Sequence, residues 1–153
     1  MAGLAEVIEA VERGQAQTMT SVLWRAEVLD FSLSAVQIKR LKDAFDGVSL
    51  IELQIDGRIM DLAGEIRATQ RSSTKKDALK NIRVPDAIHL ASAIHFDATE
   101  FHTFDGAKVS GQTKGLLTLD GNVGGHRLHV RSPRAIQLRF PFGTTEDSAD
   151  DAE

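Results

Sequence analysis

The stretch that most constrains the fold runs from Arg83 to Asp105: RVPDAIHLASAI, a short link, then EFHTFD. Pro85 suits the first turn of a helix, where a missing N–H costs nothing, and Ala87, Ile88, Ala91 and Ile94 recur at helical spacing. This places Asp86 in the helix's first turn. Phe101–Phe104 is short, aromatic and Thr-containing and reads as a strand, which Asp105-Gly106 closes with a turn signal. In open parallel sheets ligands bind beyond the carboxyl ends of strands, so Asp86 and Asp105 are expected to face one crevice.

Upstream, helices and strands alternate. Leu4, Val7, Ile8 and Val11 mark an amphipathic helix over residues 3–13, with Gly14 as its C-cap. A short strand is expected over Gln15–Thr20, with Thr20-Ser21 turning into a second helix that holds Trp24, Glu27, Val28 and Leu29. A third helix opens at Ser32 or Ser34 and carries Val36, Ile38, Leu41 and Phe45. Val48–Leu53 reads as an apolar strand, and Asp56-Gly57 leads to a helix with Ile59, Leu62, Ala63 and Ile66. Polar residues from Arg71 to Thr74 break this pattern, and residues 77–81 offer at most one helical turn. After Asp105, Leu116–Leu119 and Arg127–Val130 are expected as strands around the glycine-rich Asp120–Gly125 loop, with an edge strand over 134–142. Strands alternating with helices imply an α/β fold with a parallel sheet.

Charge is unevenly placed. The formal net charge is −4, but residues 144–153 hold five acids and no base, so without them the chain would carry +1. That acidic tail reads as disordered. Between Arg67 and Arg83 six bases (Arg67, Arg71, Lys75, Lys76, Lys80, Arg83) face one acid, Asp77, a density that either attracts a phosphate backbone or simply solvates a helix face. There are no cysteines, which excludes thiolate metal sites and cysteine nucleophiles and gives no sign of an oxidising compartment. No apolar run reaches membrane-spanning length and the acidic first residues do not look like a signal peptide, so a cytoplasmic protein without a membrane partner is expected.

The run VPDAIHLASA followed by FHTFD resembles the second half of a PIN-domain nuclease, particularly the VapC-like toxins of toxin-antitoxin pairs. The resemblance covers roughly residues 4–131 and implies a PIN-like three-layer sandwich, a mainly parallel sheet flanked by helices. It assigns residues 1–142 to a PIN-like domain and 143–153 to the tail. A PIN chain normally opens with an apolar strand ending in aspartate, central in the sheet, and this sequence begins after it. Loss of that strand leaves its neighbours with unpaired N–H and C=O groups, each costing about 1–3 kcal/mol when buried, unless another segment replaces it.

By resemblance, Glu27 corresponds to the glutamate of TSVLWRAE, Asp86 to the aspartate of DAIHLA and Asp105 to that of TFD. These three are the expected catalytic residues and metal ligands, holding Mg²⁺ or Mn²⁺. Crowded carboxylates make sense chiefly around a hard cation, and a bound ion promotes in-line attack on a phosphodiester. The implied function is a metal-dependent endoribonuclease acting as a toxin, with an RNA substrate, a cognate antitoxin and a homodimer. Lys75, Lys76, Lys80 and Arg83 are the expected RNA contacts. The alternative is a catalytically impaired remnant that binds a partner protein or RNA without cleaving it.

Each residue also has a plainer role. Asp86 stabilises a helix dipole, Asp105 forms a turn before glycine, Glu27 is a solvated helix residue, and His89 packs or hydrogen-bonds. The 121–125 loop lacks both GxGxxG spacing and a following helix, so it is not read as a nucleotide cradle.

Overall fold

The computed structural model describes residues 2–29, 34–36, 38–39, 50–74, 79–106, 108–109, 112–113 and 115–133. The first helix, α1 (Ala2–Glu12), buries Val7, Ala10 and Val11. It closes where Gly14, at φ +69°, turns the chain so that the Gln15 N–H reaches the Ala10 carbonyl at 2.8 Å. Strand β1 (Thr18–Ser21) follows, so Thr20 and Ser21 belong to the strand rather than to the expected turn, and α2 (Leu23–Leu29) starts directly after it. The third expected helix falls largely outside the described residues, although the Ile38 N–H bonds the Ser34 carbonyl at 3.0 Å.

β2 (Leu50–Leu53) runs parallel to β1, in register from Thr18 opposite Leu50 to Ser21 opposite Leu53. The Asp56 side chain then caps α3 (Gly57–Ser72), accepting the Ile59 N–H at 3.1 Å. Along α3, Ile59, Ala63, Ile66 and Gln70 are buried at near-integral turns. The helix ends at Ser72, inside the polar Arg71–Thr74 stretch expected to break it, and the Ser73 N–H reaches the Gln70 carbonyl. α4 (Val84–His95) has Pro85 in its first turn and packs against α3 through a broad face that includes Ala87, Leu90 and Ala91, all 0% exposed. Full burial of a leucine such as Leu90 contributes about 1.5–3 kcal/mol relative to exposure.

β3 (Glu100–His102) pairs in parallel with β6 (His129–Arg131), and the short strands β4 (Lys108–Val109) and β5 (Gln112–Thr113) form an antiparallel pair between them in sequence. Where a strand was expected at Leu116–Leu119 the chain forms a 3₁₀ turn, Gly115–Leu119. Leu116 and Leu119 are both buried, which a three-residue period permits and a two-residue alternation forbids. The expected edge strand over 134–142 and the acidic tail lie outside the described residues.

The fold is therefore mixed α/β with short parallel sheets. Its main apolar cluster joins α3, α4, the 3₁₀ turn and β6. Among the described residues β1–β2 and β3–β6 are separate two-stranded sheets rather than parts of one. No described helix is long and apolar enough to cross a membrane.

Candidate acidic site

The residues singled out by the sequence gather near the carboxyl end of β1 and the amino end of α4. Ser21 ends β1 with 1% exposure, and its Oγ lies 3.0 Å from Nδ1 of His89 on α4. The other imidazole nitrogen, Nε2, is 2.9 Å from a carboxylate oxygen of Glu27 on α2. A carboxylate only accepts hydrogen bonds, so Nε2 carries the proton toward Glu27; in the neutral ring Nδ1 then accepts from the Ser21 hydroxyl. His89 thus ties β1, α2 and α4 together, in keeping with the hydrogen-bonding role expected for it.

One turn earlier on α4, Asp86 accepts from Arg83 Nε at 2.8 Å and from Arg83 Nη2 at 3.2 Å. The Asp86 side chain is 14% exposed while that of Arg83 is 76% exposed, so the acid is held in the wall and its cation reaches in from solvent. The guanidinium is held above its ordinary pKa first by the hydrogen bond it donates to Asp86, then by that residue's charge, and further by the charges of Asp105 and Glu27. Carboxylates from three elements consequently act on one cation. The exposure of Arg83 leaves this attraction heavily screened.

Asp105 lies just beyond β3. Its N–H donates to Thr103 Oγ1 at 3.0 Å, and its side chain packs against Gly115, where a Cβ would come within 2.8 Å of Oδ1. Gly115 also sits at φ +65°, so glycine is required there for both space and conformation.

Glu27, Asp86 and Asp105 therefore share a neighbourhood, but they do not stand ready as a ligand set. Among the described residues no group of three or more His, Asp or Glu side chains could hold a metal ion. Their oxygen donors suit a hard cation such as Mg²⁺. As placed, however, Asp86 is engaged by Arg83 and Glu27 by His89, so the arrangement does not fit a bound ion without rearrangement of these partners.

Of the expected RNA contacts, Lys75 and Lys76 lie outside the described residues. Lys80 is exposed on the link before α4, and Arg83 is committed to Asp86. Arg67, counted in the same basic stretch, instead donates from Nε to the Ile82 carbonyl at 3.0 Å and secures that link. Two participants escaped the sequence reading. Ser21 looked like a turn residue, and Glu52, in the middle of an apolar strand, accepts from Trp24 Nε1 at 3.1 Å and Arg25 Nε at 2.6 Å. The hydrogen bond from Arg25 is the main reason the Glu52 carboxyl is held below its usual range.

No family model, curated protein or solved structure matches the chain.

Proposed function

We propose that this chain is a PIN-like, metal-dependent endoribonuclease, the toxin of a toxin-antitoxin pair, built on a three-layer α/β plan. The observation that carries this reading is that Asp86, in the first turn of α4, lies one turn before His89, which bonds Glu27 of α2, with Asp105 just beyond β3. Support also comes from the DAIHLA and TFD segments that supply two of the three acids.

In this reading a divalent ion, when bound, lowers the barrier to water attack on a phosphodiester and offsets the charge that builds on the phosphate. Asp86, Asp105 and Glu27 would hold such an ion, with Asp86 released by Arg83 and Glu27 by His89. Without the ion, His89 donates to Glu27, and the Ser21 hydroxyl fixes the imidazole's orientation. Lys80 and the basic residues before α4 attract the RNA backbone. A cognate antitoxin holds the enzyme silent, and the active form is a homodimer.

A second reading is favoured by one specific observation: Arg83 and His89 already satisfy two of the three carboxylates. Under it the chain binds RNA or a partner protein without cleaving it. The two are separated by incubating the purified chain with single-stranded RNA and Mn²⁺, beside Asp86→Asn. Cleavage that falls at least ~100-fold in the variant supports the enzyme, on the scale of removing a charge-stabilising group. Cleavage unchanged in the variant refutes it, and RNA retention without cleavage favours the second reading.

A further inference from the structure

We infer that the ring of Phe104 is a stacking platform for one nucleobase of single-stranded RNA, seating the strand beside Asp105; the inference rests on the acidic RNA site proposed above. At 61% exposure Phe104 is the most open phenylalanine or tryptophan among the described residues, ahead of Phe96 at 42%. Its place in the chain makes this exposure informative, because the next residue is Asp105, one of the acids of the candidate site. Phe101, by contrast, packs against the apolar cluster. Extended pairing continues past β3, where the Thr103 N–H reaches the Arg131 carbonyl at 2.9 Å. Side chains alternate across an extended strand, so a spacing of three puts Phe104 on the face away from that cluster.

The backbone that carries the ring is fixed on both sides. Before it, Thr103 is bonded to β6; after it, the Asp105 N–H donates to Thr103 Oγ1 at 3.0 Å and the Asp105 side chain rests against Gly115. The ring is thus held out to solvent on an ordered segment, and an aromatic side chain with two torsions loses little freedom when a flat group covers it. A base suits this place better than an apolar protein surface does. The residues flanking the ring are polar, Thr103 and Asp105, and a base joins an apolar face to a polar edge and a phosphate. Stacking on an aromatic face is tolerant of sequence, because every base has such a face. The Arg83 guanidinium, its side chain 76% exposed, lies within electrostatic reach of Asp105. A guanidinium has five N–H donors, so one paired with a carboxylate keeps others for a phosphate.

The test is the fluorescence of a short single-stranded RNA carrying 2-aminopurine at each position in turn, mixed with the full chain or its Phe104→Trp, Phe104→Leu and Phe104→Ala variants, beside cleavage kinetics in Mn²⁺. Wild type and Phe104→Trp should quench the probe at one position by stacking. Phe104→Leu, apolar but without a ring, should lose that quenching together with at least about fivefold in RNA affinity. In cleavage, KM should rise in Phe104→Leu and Phe104→Ala by more than kcat falls, with the circular dichroism of the fold unchanged. Quenching that is lost in Phe104→Leu, in a chain that cleaves nothing, supports the inference while refuting the enzyme reading. Cleavage with KM unchanged in Phe104→Leu, or quenching at no position, overturns the inference alone. A chain that neither binds nor cleaves RNA overturns both.

Discussion

Two glycines of one loop separate the cost of backbone conformation from the cost of packing. Gly121 and Gly124 both adopt left-handed conformations, at φ +79° and +60°. A Cβ at Gly121 meets nothing within 4 Å, whereas at Gly124 it would lie 2.8 Å from Cα and 3.0 Å from Cγ1 of Ile66. Ile66 is 0% exposed in the middle of α3, and a helix backbone atom cannot yield as a side-chain tip does. Alanine in the left-handed region costs about 1–2 kcal/mol at either position. Both substitutions also gain the same few tenths from a stiffer unfolded chain, which cancels in the comparison. Overpacking against Ile66 adds about 1–3 kcal/mol at Gly124 alone. Gly121→Ala should therefore destabilise by about 1–2 kcal/mol and Gly124→Ala by about 2–5 kcal/mol, read from urea midpoints at constant slope. Equal losses would mean that the loop does not rest on α3 and would refute the packing that seats β6.

Three further outcomes follow from the polar contacts. Asp56 is held below its ordinary pKa chiefly by the backbone N–H of Ile59, so its contribution is present above the unfolded value near 3.9 and is lost as pH falls through the folded value. Asp56→Asn keeps the cap without the titration; its urea midpoint should fall less steeply than wild type below about pH 4, and parallel curves would contradict the assignment. Ser21→Ala leaves His89 Nδ1 without its buried partner and should cost about 1–3 kcal/mol in urea unfolding; a loss within error of zero would show that this bond is idle. Nitrogen shifts of His89 in the neutral ring should report the Nε2–H tautomer, and the Nδ1–H form would reverse the donor assignments at Ser21 and Glu27.

Much of the local architecture is legible in the residues. The apolar spacing of α1 and α4, Pro85 in a first turn and the helix start at Asp56-Gly57 each have a local cause, and each appears where that cause operates. The misreadings have tertiary causes. Leu116-Leu117-Thr118-Leu119 alternates too little to reveal its period, and the need to bury both Leu116 and Leu119 selects the 3₁₀ turn. At the candidate site the acids were visible as residue types, but their long-range partners were not. The Arg83–Asp86 pair is local, at i,i+3, and its spacing was readable; nothing in the sequence indicates that Ser21, far from His89 along the chain, orients its ring. Long-range hydrogen bonds leave no periodic trace.

We propose that Glu27, Asp86 and Asp105 act as one carboxylate site for a hard cation. Calorimetric titration of the purified chain with Mn²⁺, beside Glu27→Gln, Asp86→Asn and Asp105→Asn, tests it most directly. A single binding event is expected, weakened at least about tenfold in each variant, since each removes one charged oxygen donor. A folded wild type that binds no ion, or that binds it equally well without Asp86 and Asp105, would contradict it.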